Sequence, residues 1–362
     1  MQKLFYASIG IIVLIIVAGF FLLNAKPTVV SKTDLDRPLV VGIVSWPGYA
    51  AGITANNGFK ENTQSIFYEK YGLMVRFVLI EDIDARGKAF AKGGPDGVDV
   101  VWTTIDFWAN ELPNFVAGGI DGKAFMQVDW SRGGDAIVAD KSISKIEDLK
   151  GKKISLVQYT PSHWLLETAL RQSNLAENER QYIRNNFIFT QDAQTARAAF
   201  VAGQVDAAVV WEPDVSQALK REDSHILTST KEMPNTIADM LVAKDEFIKS
   251  HPKAMEAFVS GWLDGVEKAN DNKDLAARLL TENEPLFADI GFEKAKESLE
   301  WVYWPDLKDN ARMFGLDNNP PLFDSIFTDA GKVWQSIGAI ENTIDAQSAK
   351  DDSIIRILYK GS

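Results

Sequence analysis

The 362-residue sequence contains no cysteine. That excludes disulfides, thiolate nucleophiles, cysteine-ligated zinc and an acylated lipobox cysteine. Histidine is nearly as scarce: His163, His225 and His251 are the whole set, and their spacing fits no metal-ligand pattern. No basic run occurs, and 38 Lys and Arg stand against 50 Asp and Glu, a formal net charge of −12 at pH 7. A nucleic-acid surface needs clustered cations, so that class of partner is not expected. A Gly-rich phosphate loop and a G-x-S-x-G elbow are also missing, and Ser162 and His163 are merely adjacent. Neither a catalytic pair nor a cofactor or metal site is therefore expected. What remains is a chain with 46% hydrophobic and 24% charged residues, enough for one large core or two ordinary ones.

The strongest single signal is Val205-Asp206-Ala207-Ala208-Val209-Val210-Trp211-Glu212-Pro213. Small and branched apolar residues after an aspartate read as a buried parallel strand, and Pro213 stops it. An indole and a carboxylate then sit at the carboxyl end of a buried strand, where open α/β sheets bind ligands. The stretch has a twin. Phe77 to Glu81, Ala89 to Gly93 and Val98 to Trp102 parallel Phe187 to Gln191, Ala199 to Gly203 and Val205 to Val209. Each copy reads strand, helix, glycine turn, strand. Two separated copies do not suit a solenoid; they suit two similar α/β lobes facing one another with a ligand between.

Other elements follow in order. Leu39 to Val44 is a buried strand ending in the aromatic turn Trp46-Pro47-Gly48-Tyr49, and Val75 to Ile80 is a second. Thr104 or Asp106 caps a helix over Phe107 to Leu112. Gly133-Gly134 is hinge-like. Ile154 to Val157 is a strand, and Thr160-Pro161-Ser162-His163 opens a helix running to Gln172, a polar helix start suited to an anion. Ile226 to Thr228 and Asp239 to Ala243 are strands returning toward the first lobe. From Phe247 onward the pattern is helical, with Phe258, Trp262 and Val266 as core and a last amphipathic helix over Phe323 to Ile337. Of Trp46, Tyr49, Trp102, Trp108, Trp164 and Trp211, two or three are expected to line the cleft, with Trp102 assigned to the core.

Leu4 to Leu23 is apolar apart from Ser8, and twenty residues at about 1.5 Å each span about 30 Å, a bilayer's hydrocarbon thickness. Lys3 precedes it, so the remainder is expected outside the cytoplasmic membrane. An uncleaved anchor over residues 1–25 is preferred to a cleaved signal peptide, because Leu23-Asn24-Ala25 is a poor cleavage site. Residues 26–37 read as a tether.

The aromatic turn after the first strand, Gly93 before Val98-Asp99-Val100-Val101, Ile146 to Ile154, Thr160 to His163, Ala202 to Ala207 leading to Trp211-Glu212-Pro213, and Phe247 to Pro252, taken in this order, resemble the periplasmic solute-binding proteins of the nitrate, sulfonate, taurine and thiamine-precursor type. The resemblance implies a two-lobe α/β fold of the type II periplasmic-binding class, each lobe a mixed, mainly parallel sheet flanked by helices, preceded here by one N-terminal hydrophobic helix. It implies a first lobe from residues 38–132 and 248–362, a second from 133–247, and a monomeric body. It implies a binding protein that delivers a small molecule to an ABC permease. Ligand contacts are implied in the loops after Val44, Trp102, Val157 and Val210. There the candidates are Trp46, Tyr49, Thr103, Thr104, Asp106, Thr160, Ser162, His163, Trp211 and Glu212, with Asp239 nearby. Tyr159 departs from the family's pattern, where glycine is common. The alternatives are a membrane-tethered sensor subunit and a pyrimidine-precursor synthase of the same fold; the synthases' cysteine-rich motif is missing here.

Asp106, Glu212 and Asp239 near the cleft, against Arg132 and His163, favour a nitrogen-containing cationic or zwitterionic solute over a simple anion. For the N-terminal segment, intact-mass analysis of membrane-derived protein is expected to show residues 4–23 retained; a mature chain beginning near Lys26 would refute the anchor.

Overall fold

Leu39–Ile43 (β1) is buried at all five positions, as an unbroken apolar run requires of a strand covered on both faces. In the computed structural model, which describes residues 32–361, β1 pairs in parallel with Val75–Leu79 (β2) on one edge and Val100–Thr104 (β3) on the other. Helix α1 (Ile83–Lys92) connects β2 to β3. Helix α2 (Ile105–Ala117) follows β3 without a loop, because the Thr104 side chain caps it by accepting from the Phe107 N–H at 3.3 Å. Strand β4 (Gly122–Ser131) then leads out of the first lobe.

The second lobe runs β5 (Asp135–Asp140), β6 (Ile154–Val157), α3 (Pro161–Gln172), β7 (Phe187–Thr190), α4 (Ala193–Val201), β8 (Ala207–Trp211) and β9 (Ser224–Ser229). The chain returns as β10 (Ala238–Lys244), and α5 (Pro252–Asp271), β11 (Val302–Tyr303) and α6 (Leu322–Ser336) complete the first lobe. Strand orders are β11-β4-β10-β3-β1-β2 and β7-β6-β8-β5-β9. The repeat read from sequence is a topological fact. β2–α1–β3 brackets β1 as β7–α4–β8 brackets β6, and each unit turns at a left-handed glycine, Gly93 (φ 67°) and Gly203 (φ 69°). In each lobe the next strand, β10 or β5, runs antiparallel.

Two boundaries differ from expectation. The second crossing lies between Ser229 and Ala238, since β10 is hydrogen-bonded on both edges by β3 and β4; a boundary at 247 would cut it from its sheet. Residues 34–37, expected in a tether, are docked on the first lobe. Leu35 is buried, Asp34 accepts from the N–H groups of Lys253 and Ala254 at the start of α5, and Arg37 grips Asp99 at 2.6 and 2.8 Å. The expected anchor over Leu4 to Leu23 lies outside the described residues.

The crossings are bonded to each other. The hydroxyls of Ser131 and Thr230 meet at 2.7 Å, the Gly133 N–H donates to Thr230 Oγ1 at 2.8 Å, and the Ser131 N–H donates to the Ile237 carbonyl. Phe258 and Trp262 of α5 are fully buried, as their helical spacing requires.

One ion pair fixes the end of β3. Arg86 of α1 has no exposed surface and donates to Glu111 Oε1 at 2.5 Å, to Glu111 Oε2 at 3.1 Å and to the Trp102 carbonyl. Its guanidinium lies 4.8 Å from the Trp102 ring centroid and 5.0 Å from that of Phe107. Arg86→Ala would leave Glu111 buried without its cation, and is expected to cost about 3–5 kcal/mol in urea unfolding.

Candidate functional site

Register assembles the site. Asp239 in β10 is opposite Thr104 of β3 on one side and Asp129 of β4 on the other, so three polar residues form a row across the first sheet. In the second lobe Asp135, the first residue of β5, is opposite Trp211, the last of β8. Between them is a narrow cavity of about 20 Å³. Val44, Trp46, Trp102, Thr104 and Asp239 line it from the first lobe, Asp135, Pro161 and Trp211 from the second, and Ile237 from the returning crossing. It opens at the carboxyl ends of β1, β3 and β8 and at the start of α3, the position at which α/β sheets hold ligands. The Trp102 and Trp211 rings meet edge to face across it, centroids 6.4 Å apart.

The carboxylates have selective partners. Trp46 Nε1–H donates to Asp129 Oδ2 at 2.9 Å, and the Tyr49 hydroxyl donates to Asp239 Oδ1 at 2.7 Å. Gly48 makes the first bond possible: a Cβ there would lie 1.6 Å from Asp129 Oδ2 and 2.4 Å from Trp46 Nε1. Gly134 does the same from the crossing, where a Cβ would come within 2.4 Å of the Trp46 ring. Both oxygens of Asp106, Asp129 Oδ1, Trp102 Nε1 and Ser162 Oγ are buried with no hydrogen-bond partner in the protein.

Of the residues singled out in the sequence, Trp46, Thr104, Trp211 and Asp239 line the cavity, with Tyr49 directly behind Asp239. Asp106 is buried in the first turn of α2, near enough to Asp135 and Asp239 to interact electrostatically. Trp102 is buried in the core as expected and also lines the cavity. Alternation along β3 is as expected, but the indole side faces the cleft, and Thr103 points back toward Glu111 at 3.3 Å. Thr160 spends its hydroxyl on the Val157 carbonyl at 2.9 Å. Ser162 is buried at the helix start beside Pro161. His163 turns away: its Nδ1 accepts from the Tyr159 N–H at 3.1 Å, Nε2 lies 3.7 Å from Glu167, and the ring packs on Tyr159, Phe187, Phe189 and Trp334. Tyr159 has φ 60°, a left-handed conformation that glycine adopts more readily than a residue with a side chain. Glu212 is buried, but Ser216 Oγ binds it at 3.1 Å outside the cavity lining. Arg132 reaches Asn235 at 2.8 Å. Sequence reading missed Asp129 and Asp135. The available signal was a carboxylate inside the apolar run Phe125 to Trp130, and another directly after Gly133-Gly134.

Burial governs the protonation of this cluster. Desolvation pushes Asp106 up to about 8, with Asp135 adding to it. Asp129 is also pushed up to about 8 by desolvation, against the Trp46 hydrogen bond, while nearby Asp135 raises it further. Asp135 is pushed up to about 7, and Asp239 rises well above the carboxylate range by burial and then by Asp129. Each carboxyl holds its proton more tightly folded than unfolded. The associated stability is complete below the unfolded carboxyl pKa and is lost as pH rises through about 7–8. The melting temperature of ligand-free protein is expected to be lower at about pH 9 than at about pH 6, with the difference reduced in Asp106→Asn. Tyr49→Phe, which strips Asp239 of its donor, is expected to cost about 1–3 kcal/mol in denaturant unfolding.

Comparison with known proteins follows the same lines. Residues 133–276 match the family described as NMT1/THI5 like. The taurine-binding periplasmic protein of Escherichia coli K12 is 29% identical over 144 residues, which are 39% of this chain and 42% of that protein. The match thus spans about two fifths of that relative's length. The crystal structure of the periplasmic aliphatic sulphonate binding protein from Escherichia coli superposes with a TM-score of 0.65 at 17% identity, covering 87% of this chain and 92% of that one. The periplasmic nitrate-binding protein from Synechocystis PCC 6803 gives a TM-score of 0.65 at 12% identity, over 92% and 90%. Two similar sheets, two crossings and a cavity between them make this chain a two-lobe protein of the type II periplasmic-binding fold, similar over residues 133–276, the second lobe and the start of the return into the first, to the NMT1/THI5 like proteins.

Proposed function

We propose that the protein is the extracytoplasmic solute-binding component of an ABC-type importer, which closes on a small organic solute and presents it to a permease in the cytoplasmic membrane. The observation that carries this reading is the cavity walled by residues of both lobes, Trp46, Trp102 and Asp239 on one side and Asp135, Pro161 and Trp211 on the other. A solute held there contacts both lobes at once, so binding and closure are the same event. The taurine-, sulphonate- and nitrate-binding proteins that resemble the chain support the role, and the apolar stretch Leu4 to Leu23 supports a position outside the cytoplasm. The chemistry of the lining supports binding rather than catalysis. Its polar side chains are indoles, one threonine and two carboxyls, and the His163 ring belongs to a separate aromatic cluster.

Mass spectrometry of molecules released on denaturing the purified protein is expected to identify a bound small solute. Adding that solute to stripped protein is expected to reduce the radius of gyration in small-angle scattering. Trp211→Ala is expected to weaken its binding about 10–30-fold, equivalent to about 1.4–2 kcal/mol. A protein that neither carries nor binds any small solute would refute the reading.

A further inference from the structure

The cavity has a marked chemical bias. No Lys, Arg or His lines it, while Asp135 and Asp239 do. Two more aspartates, Asp106 and Asp129, interact electrostatically with that pair. Neither nearby cation enters the lining: Arg86 is held by Glu111 behind Trp102, and Arg132, bonded to Asn235, lies close enough to Asp129 to interact with it electrostatically. Among the described residues no trio of acidic or histidine side chains is spaced to hold a metal ion. Three indoles wall the same space, and the faces of indoles attract organic cations.

The unpartnered atoms sharpen the description. The lining carboxyls of Asp135 and Asp239 offer acceptor oxygens, which take N–H groups that a quaternary ammonium lacks, and behind them Asp129 Oδ1 is a buried acceptor without a donor. Trp102 Nε1, on a side chain 2% exposed that lines the cavity, is a donor without an acceptor. Ser162 Oγ, fully buried at the start of α3 next to Pro161, is likewise unused. The first turn of that helix favours electron-rich groups.

Resting on the solute-binding reading above, we propose that the recognised solute is a small organic ammonium compound with N–H donors, its cationic end against Asp135 and Asp239 among Trp46, Trp102 and Trp211, and its other end a hydrogen-bond acceptor facing Trp102 Nε1 and the start of α3. The ammonium supplies the charge that the aspartates lack, and the indoles exclude water around it. A simple anion has no counter-charge in this lining. Because burial raises Asp106, Asp129, Asp135 and Asp239, an incoming cation displaces protons. The other ionisable groups around them are Tyr49, itself pushed up by burial, and Arg132 beside Asp129. Ammonium affinity therefore rises with pH through about 7–8 and protons are released on binding.

The test uses the full-length protein, stripped of bound solute, in thermal-shift and calorimetric titrations. The probes are ethanolamine, β-alanine and taurine, each an ammonium compound with an acceptor at the other end. The controls are ethanesulfonate, propionate and nitrate, which lack the ammonium, and tetramethylammonium, which lacks N–H. At least one ammonium probe is expected to raise the melting temperature saturably and to release protons at neutral pH. Its affinity should fall at least tenfold in Asp135→Asn and in Asp239→Asn, each checked for folding by circular dichroism. The controls should do nothing. Ethanesulfonate or nitrate binding as well as taurine, tetramethylammonium binding as well as ethanolamine, or failure of all three ammonium probes would overturn the proposal. If the solute released from the purified protein is an anion without an amine, this proposal fails while the solute-binding reading stands; if no solute is carried or bound at all, both fail.

Discussion

Keeping four aspartates dry is the constraint around which this molecule is built. Burying an ionised carboxylate without partners is costly, and the group responds by holding its proton or acquiring donors. Here both responses occur. Asp239 takes the Tyr49 hydroxyl and Asp129 takes the Trp46 indole N–H, while Asp106 is pushed up to about 8 by burial. The surrounding choices follow. Gly48 and Gly134 are glycines because a Cβ would strike Asp129 or Trp46. Arg86 and Glu111 form a neutralised pair behind Trp102, so that a cation can brace the cavity wall without entering the cavity.

The lobes are coupled by short polar links at the crossings and by aromatic packing farther out. Thr230 collects Ser131 and Gly133 into one bonded knot, and Glu81 accepts across the cleft from Gln194 at 3.0 Å. On the flank, Trp334 of the first lobe is fully buried against Tyr159, His163 and Trp164 of the second. Polar links of this kind exchange readily with water, whereas parting the aromatic seam exposes apolar surface. Opening is thus opposed chiefly at the flank.

Much of the architecture was legible because it is written in short-range patterns. The runs Leu39 to Val44 and Ala207 to Trp211 have the composition of strands covered on both faces, and the duplicated strand–helix–strand units disclosed the two lobes. Cleft residues at strand ends, Trp46, Trp211 and Thr104, followed from the same logic. The rest depends on pairing between distant segments. Asp129 and Asp239 are 110 positions apart in the chain and become neighbours only because β10 inserts between β3 and β4. Which side of β3 meets the cleft is likewise decided by the partner sheet, so the core position of Trp102 was legible but its place in the cavity wall was not. His163 follows a promising helix start, yet its ring orientation is set by Tyr159, Phe187 and Trp334.

The edge-to-face pair Trp102–Trp211 has an optical consequence. One indole is fixed to each lobe, and their centroids are 6.4 Å apart. At that separation the excited states of two indoles couple strongly, and the coupling decays steeply as the rings part. The wall of the cavity is therefore also an unlabelled gauge of lobe separation, whose near-ultraviolet circular dichroism records how far the cleft stands open.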